Sequence, residues 1–428
     1  MTNNKTFAVY TLGCKVNSYE TDCLVHLFEE QGCTLLDFEE KADIYLINTC
    51  SVTNTGDKKS RQAIHRARRT NPDAFIAVCG CYAQADPSAA FMAGADLVAG
   101  TSDRAELVNL ALSGTKKSLV RDISKVKDFE ELPFSDYQDK TRAYIKIQDG
   151  CNNFCSYCII PYTRGRVRSR SLSSTLEEAK RLTQSGYKEI VLTGIEVYSY
   201  GADTKETNLL GLLEKLQQEA RPERIRLSSI DPRAFTDEFI EKISRIPSLC
   251  DHFHISAQSG SNNTLKRMNR PNTGEEFLAI LSKIRRAMPG VSITTDIITG
   301  FPGETEEEFE ETKAFIKEAA FSRLHVFPYS ERKGTKAAQM EQLPMSIRSE
   351  RAKVLIAEGK VLMQNFALLQ VGKTLEVLFE QGSKGVWEGY SKNYVRVFAE
   401  SGENLEGQIK KVLITKAVSG GAVKGIIC

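Results

Sequence analysis

Between residues 6 and 110, short apolar runs alternate with longer polar stretches whose apolar positions recur at helical spacing. The runs at 7–12, 44–48, 75–78 and 97–99 predict strands, each followed by a helix. Such alternation predicts a parallel sheet in an α/β domain, here residues 1–112. Residues 113–140, with Lys116-Lys117 and Pro133, are polar and predict a connection. The alternation then resumes over 141–345, with strands predicted at 143–147, 190–192, 224–228, 252–256, 292–298 and 324–327. Six β/α units fit part of a barrel rather than the eight of a closed one. Thr175-Leu-Glu-Glu178 and Thr305-Glu-Glu-Glu308 read as capping boxes that start two of its helices. Residues 346–370 carry Val354, Leu355, Val361, Leu362 and Phe366 and predict one connecting helix. Beyond 371 the texture changes to β-rich runs at 374–379, 394–398 and 412–414, punctuated by Gly382, Gly385, Gly389, Gly407 and Gly420-Gly421. That pattern predicts a small all-β barrel over 371–428.

The composition, 41% hydrophobic and 26% charged over 428 residues, is that of a globular chain and excludes disordered, collagen-like and coiled-coil classes. No apolar run approaches the roughly 18–20 residues of a membrane span. Met1-Thr-Asn-Asn-Lys5 leads straight into a strand-like segment without the form of a signal peptide, so a cytoplasmic protein is expected. Eleven cysteines are then unusual, because thiols in that compartment stay reduced and more often bind metal or act in catalysis.

Cys14, Cys50 and Cys81 each lie just past the end of a different predicted strand, where parallel α/β sheets bind ligands. Three thiolates from three strand ends would converge on one point; the plainer alternative is three buried small apolar residues. Cys151, Cys155 and Cys158 form a C-x3-C-x2-C loop directly after the first barrel strand, where barrel chemistry is expected. A closed zinc site takes four ligands, whereas three thiolates on a [4Fe–4S] cluster leave one iron open to another ligand. S-adenosylmethionine suits that iron, since its amine and carboxylate chelate and its sulfonium bond is cleaved by one electron. Zinc with a distant fourth ligand stays open on spacing alone.

Net charge is +2 but unevenly spread: residues 51–70 and 142–170 each carry +5 and the rest sums to −8. Segregation of this kind reads either as a footprint for a polyanion or as solvated helix faces. Arg164, Arg166, Arg168 and Arg170 alternate and would project from one side of an extended segment. His252 and His254 share one face of a predicted strand and read as structural histidines.

The ordered stretches Thr11-Leu-Gly-Cys14-Lys-Val-Asn17, Asn48-Thr-Cys50, Gly80-Cys81-Tyr-Ala-Gln84 and Gly150-Cys151-Asn-Asn-Phe-Cys155-Ser-Tyr-Cys158-Ile-Ile-Pro161 carry a family resemblance. Arg164-Gly-Arg166-Val-Arg168-Ser-Arg170, Gln258-Ser-Gly-Ser261 and Thr299-Gly-Phe-Pro-Gly-Glu304 continue it. Over nearly its full length the chain resembles the methylthiotransferases of the radical S-adenosylmethionine superfamily, and the tail resembles the RNA-binding TRAM module. The resemblance implies two [4Fe–4S] clusters: an auxiliary one on Cys14, Cys50 and Cys81, and a radical one on Cys151, Cys155 and Cys158. It also implies S-adenosylmethionine as both methyl donor and radical source. Tyr157, Thr193, Gly194, Ser229, Gln258 and Asp296 are expected around that molecule. Cys79, two residues from Cys81, shares its face if the strand continues; Cys23, Cys33, Cys250 and Cys428 read as packing or surface residues.

Lys15-Val16-Asn17 and Asn54-Thr-Gly-Asp-Lys-Lys-Ser60 resemble the branch that modifies N6-threonylcarbamoyladenosine at tRNA position 37. Other branches, which act on isopentenyladenosine or on a ribosomal-protein aspartate, carry Gln-Met-Asn or Pro-Lys-Asn after the first cysteine. A tRNA anticodon loop then gives the basic residues a purpose. Lys58, Arg61, Arg66, Arg69 and Arg164, Arg166, Arg168, Arg170 would meet phosphates. Trp387, Tyr390, Tyr394 and Arg396 would stack on and pair with RNA, although a small barrel's core also explains Trp387. An electron donor such as flavodoxin or ferredoxin is a further implied partner. The competing class is a non-catalytic RNA-binding protein with structural metal sites.

Overall fold

The computed structural model describes residues 4–133 and 141–428. Its first part runs β1 (Thr6–Thr11), α1 (Lys15–Glu30), β2 (Thr34–Leu36), β3 (Ile44–Thr49), α2 (Asn54–Thr70), β4 (Phe75–Gly80), α3 (Cys81–Ala85), α4 (Pro87–Met92), β5 (Leu97–Val98), α5 (Arg104–Ser113) and β6 (Lys117–Ser118). The sheet order is β2-β1-β3-β4-β5-β6, parallel throughout. Every residue of β3 is buried, because helices cover both faces. Ala63, Ile64 and Ala67 of α2 pack on one face, and Leu24, Phe28, Leu107 and Val108 of α1 and α5 on the other. β6 falls inside the stretch expected to be a connection. Both its side chains are exposed, so only its backbone pairing marks it as a strand. Residues 134–140 of that stretch lie outside the described residues.

The second part contains β7 (Arg142–Lys146), β8 (Gln148–Asp149), α6 (Ile160–Thr163), β9 (Arg168–Ser169), α7 (Leu172–Gln184), β10 (Glu189–Thr193), α8 (Leu209–Lys215), β11 (Arg224–Leu227), β12 (Ser229–Ile230) and α9 (Asp237–Ile243). It continues with β13 (His252–Ile255), α10 (Asn262–Arg267), α11 (Gly274–Ala287), β14 (Ser292–Thr299), α12 (Glu306–Ala319) and β15 (Arg323–Pro328). Parallel ladders β11-β10-β7 and β12-β13-β14-β15 meet where the third barrel strand breaks at Ser228. Six strand positions thus make the partial barrel. Two-residue strands β8 and β9 pair antiparallel, Gln148 with Ser169 and Asp149 with Arg168, and so tie the base of the three-cysteine loop. Thr305 and Glu308 form the expected capping box. Thr175 does not cap its helix. Ser171, one turn earlier, accepts from the Ser174 amide, and the Thr175 hydroxyl bonds back to the Ser171 carbonyl. A second box, Thr273 with Glu276, starts α11.

The third part is α13 (Met345–Leu368) followed by β16 (Thr374–Ser383), β17 (Val386–Ser391), β18 (Arg396–Glu400), β19 (Ile409–Val418) and β20 (Ala422–Ile427). These strands close a barrel in the order β16-β17-β18-β20-β19. Arg224 donates to the carbonyls of Tyr390 and Glu376, and Lys392 donates to that of Pro247, which docks the small barrel on the large one. No helix among the described residues is long and apolar enough to cross a membrane.

Candidate active site

β1, β3 and β4 are neighbours running the same way, so the residues just past their ends arrive together. These are Cys14, which precedes α1, Cys50, and Cys81, which opens α3. A Cβ placed on Gly13 would lie 3.0 Å from the Cys50 Cβ and 3.2 Å from its sulfur, so that glycine lets the two segments close up. Cys50 and Cys81 each feel the charge of Cys14, and Cys50 that of Cys81. Cys79 takes no place among them. It is fully buried in the core beneath α1 and α5 with Leu46, Ala77 and Leu97. Gly80 ends the alternation that would have kept Cys79 and Cys81 on one face. It adopts φ 96°, where a Cβ would come within 2.5 Å of the Asn48 Oδ1 and the Thr49 carbonyl. Cys23, Cys33 and Cys250 are buried and Cys428 is exposed.

The second set sits in the loop tied by β8 and β9. The Cys158 amide donates to the Cys155 carbonyl, the Cys151 amide to the Gly165 carbonyl, and the Asn153 amide to the Cys151 sulfur. Burial, with neighbouring thiols as a lesser cause, pushes Cys151 up to about 11 and Cys158 up to about 12. Cys81 is among the groups that act on Cys158, so the two thiol sets face one another. Cys158 lines a cavity of about 230 Å³ with Val52, Thr53, Tyr157, Gln258, Asp296 and Phe327 among others. Among the described residues neither set holds its three sulfurs within 4.8 Å of one another. Three thiolates at each place can bind three irons of a [4Fe–4S] cluster and leave the fourth open. The donor set therefore fits [4Fe–4S] at both places.

Several expected S-adenosylmethionine residues do surround the radical set. Thr193 is buried, and its hydroxyl has no partner among the described residues. Gly194 lies where a Cβ would come 3.0 Å from the Gln148 Oε1. Gln258 is held at φ 70° beside Asp296, the kind of backbone outlier that concentrates at functional sites. Ser229 shares a 2.9 Å hydrogen bond with Ser256. The Tyr157 phenol is hydrogen-bonded to Cys155, and burial raises it well above its usual value. Asp296 is engaged by His254 at 3.2 Å and by His325 at 3.3 Å, and burial alone would raise its carboxyl, yet these partners hold it well below the usual range. His254 is thus paired within the barrel lumen, and His252 reaches the same Thr294 hydroxyl as His254.

Three residues not singled out in the sequence complete this side. Burial, then the nearby Asp231, pushes Glu196 up to about 7. Arg270 lies 3.3 Å from Asp231 and 4.0 Å from the Cys155 sulfur, and its Nε has no partner among the described residues. Two carboxylates and a guanidinium beside the thiols match the ammonium and carboxylate of an amino acid. The signal available in the sequence was Gly194-Ile-Glu196 at a strand end.

The alternating arginines do not reach RNA as expected. Arg164 is fully buried: it donates to Asn17, Glu20 and Asp149, and its Nε to the Cys81 sulfur at 3.3 Å. Arg168 is buried with Asp149, and Arg170 with Glu178 and Glu131. Lys146 and Arg104 join Glu20 in the same network, which seals α1 and α5 against the barrel. The segment is not one extended strand but a short helix, a turn and a two-residue strand, which aims its arginines separately. Only Arg166 is exposed, 4.5 Å over the Phe154 ring. On α2, Lys58, Arg61 and Arg69 are exposed, while Arg66 pairs with Glu39 and stacks on Tyr10 and Phe38.

In the small barrel Trp387 packs half-buried across Gly382 against the core, and Arg396 lies 3.7 Å from Glu388. Tyr394 points away from solvent, stacking on His252 and Tyr390 under Arg142 and Arg226. It and Tyr390 belong to the junction of the two barrels rather than to an RNA face.

The Radical SAM superfamily profile matches residues 145–316, and that of the Uncharacterized protein family UPF0004 matches residues 6–100. The chain is 48% identical to the threonylcarbamoyladenosine tRNA methylthiotransferase MtaB of Bacillus subtilis, over 96% of this chain and 94% of the relative. It is 39% identical to the protein of that name from Aquifex aeolicus, over 95% and 99%. It is 36% identical to a tRNA-2-methylthio-N(6)-dimethylallyladenosine synthase from Desulforamulus reducens, over 97% and 94%. Among solved structures, the radical S-adenosylmethionine methyltransferase TsrM from Kitasatospora setae superimposes with TM-score 0.58 at 17% identity, over 78% of this chain and 77% of that one. With identities of this size over the full length, the chain belongs to the methylthiotransferase family of radical S-adenosylmethionine enzymes, a family that implies S-adenosylmethionine and a [4Fe–4S] cluster.

Proposed function

We propose that this enzyme adds a methylthio group to C2 of N6-threonylcarbamoyladenosine at position 37 of tRNA, giving 2-methylthio-N6-threonylcarbamoyladenosine. The observation that carries the reading is the pair of three-thiol sets, near enough for Cys81 to act on Cys158 at the edge of a small cavity, in a chain 48% identical to a relative named for this activity. Cys151, Cys155 and Cys158 would hold the radical cluster, and Cys14, Cys50 and Cys81 the auxiliary one. When bound, the clusters and S-adenosylmethionine supply hydrogen-atom abstraction and the methylthio group. The chain's own residues bind and orient. Glu196, Asp231 and Arg270 grip the amino-acid end of S-adenosylmethionine, Thr193 donates its unpaired hydroxyl, and Gln258 and Tyr157 wall the cavity.

Arg164 ties the two sites into one frame by bonding the Cys81 sulfur from the segment that follows Cys158. Holding both reacting centres in one geometry is what makes the transfer effectively unimolecular. Lys58, Arg61, Arg69 and Arg166 are the exposed cations among those expected to meet the anticodon loop. Flavodoxin or ferredoxin in the cytoplasm would deliver the electron.

Anaerobic reconstitution should give about eight irons per chain and S-adenosylmethionine-dependent 5′-deoxyadenosine. Mass spectrometry of nucleosides from a deletion strain should lose 2-methylthio-N6-threonylcarbamoyladenosine alone. A chain holding one zinc and producing no 5′-deoxyadenosine would refute the reading, and loss of the isopentenyl nucleoside instead would move the substrate.

A further inference from the structure

Three neighbouring parallel strands of the large barrel, β13, β14 and β15, each contribute one ligating side chain to the same face. Asp296 of β14 is in register with His325 of β15. Thr294, two residues before Asp296 and so on its face, is in register with His254 of β13. The carboxylate therefore stands between two imidazoles. His254 Nε2 lies 3.2 Å from one of its oxygens, and His325 Nδ1 lies 3.3 Å from the other. The two rings stack with centroids 5.4 Å apart and turn these nitrogens toward the one carboxylate. No lysine or arginine among the described residues pairs with Asp296. One ligand atom from each of the three residues lies within 4.8 Å of the others, and no other group of His, Cys, Asp or Glu among the described residues meets that condition.

Ligands held about 2.1 Å from one ion stand about 3.0–3.4 Å apart at octahedral or tetrahedral angles. Both nitrogen–oxygen separations already have that length. His254 is oriented from behind, because its Nδ1 lies 2.9 Å from the buried Thr294 hydroxyl. With Nδ1–H donating to that oxygen, the Nε2 lone pair faces the carboxylate. A cation between them turns two facing acceptors into two ligands, in the way that outer partners fix the tautomer of a ligating imidazole. The set is open to an ion from solvent, since the His254, Asp296 and His325 side chains are 14%, 30% and 40% exposed.

We propose that His254, Asp296 and His325 form a binding site for one first-row divalent cation, separate from both thiol sets. Two imidazoles and a carboxylate, with no thiolate, suit ions such as Fe2+ or Mn2+ and leave coordination positions open for water or another oxygen ligand. Asp296 also lines the cavity that Cys158, Tyr157 and Gln258 line, so the ion brings a positive charge to the wall of that cavity. The inference rests on strand register and donor chemistry and is independent of the proposed substrate.

The test titrates MnCl2 anaerobically into cluster-loaded protein whose clusters are oxidised and silent in electron paramagnetic resonance, so that free Mn2+ is read from its own signal. Excess Mg2+ occupies casual carboxylate sites, which lack the imidazoles that favour a transition metal. Wild-type protein is expected to retain about one Mn2+ per chain, with nitrogen hyperfine coupling in the bound spectrum. H325A and D296N should each weaken this binding by at least about 100-fold, and T294V by about 10- to 100-fold, at matched iron content. His325 is 40% exposed, so its truncation leaves the barrel packing in place. H26A removes the other imidazole–carboxylate pair among the described residues, His26 with Glu30, and should change nothing. The proposal fails if no Mn2+ survives excess Mg2+, if H325A binds as the wild type does, or if the nitrogen coupling is lost in H26A.

Discussion

On α2, Lys58, Arg61 and Arg69 stand on the outer face, while Ala63, Ile64 and Ala67 of the same helix go into the core. In the segment from Arg142 to Arg170, three arginines and Lys146 are instead buried, Arg142 is half-buried and Arg166 is exposed. The two stretches carry the same local charge. An amphipathic helix keeps its cations outward because its own apolar stripe decides which side faces water. The second stretch threads a seam between two layers, where Glu20, Asp149 and Glu178 meet it. A run of like charge therefore faces solvent in one place and the protein itself in the other. What decides is the placement of distant acids.

The sharpest way to break this contrast is to remove one buried cation. R164M should cost about 3–5 kcal/mol in chemical denaturation, because Glu20 and Asp149 are left without it, and it should lower the iron retained beside Cys81. R61A on α2 should change stability by no more than about 0.5 kcal/mol. If the two variants were equally mild, the seam would not be electrostatic.

Next, K58E/R61E/R69E should leave the denaturation midpoint in place while lowering the salt dependence of tRNA binding by about three ion equivalents and its affinity by at least about tenfold. R168M, by contrast, should lose stability before RNA affinity.

Acid probes the seam without mutation. For Glu20 and Asp149, burial would raise the carboxyls, but Arg104, Arg164, Lys146 and Arg168 hold both below the ordinary range. Depressed carboxyls stabilise the fold at pH above their unfolded values, near 4, and that contribution drains away only as pH falls through the lower folded values. The urea midpoint of wild-type protein should therefore drop steeply below about pH 4, and E20Q should flatten the drop. The smallest expected effect is that of R166A, a fall of a few-fold in tRNA affinity at low salt with unchanged stability.

The alternation of apolar runs made the parallel sheet, the partial barrel and the tail legible, because those signals are local and depend on burial of whole faces. β6, β8 and β9 were not, since two-residue strands carry no period and are defined by pairing alone. The cysteine sets were legible because strand ends put ligands in predictable places. Cys79 was ambiguous until the left-handed turn at Gly80 ended the strand's alternation. Arg164 was misread because its partner Glu20 lies 144 residues away. Tyr394 was misread because Arg142, Arg226 and His252, which capture it, belong to another barrel. Glu196 and Arg270 were passed over because no short pattern brings a strand end and a later loop to the same three-cysteine loop.

The docking of the small barrel has a consequence for measurement. Asn393 donates to the Gly290 carbonyl, Arg224 holds two backbone carbonyls of the small barrel, and Tyr394 is inserted under Arg142 and Arg226. Such a joint does not swing. The span from the tail barrel to the thiol cavity is thereby set by side chains of the large barrel rather than by a linker.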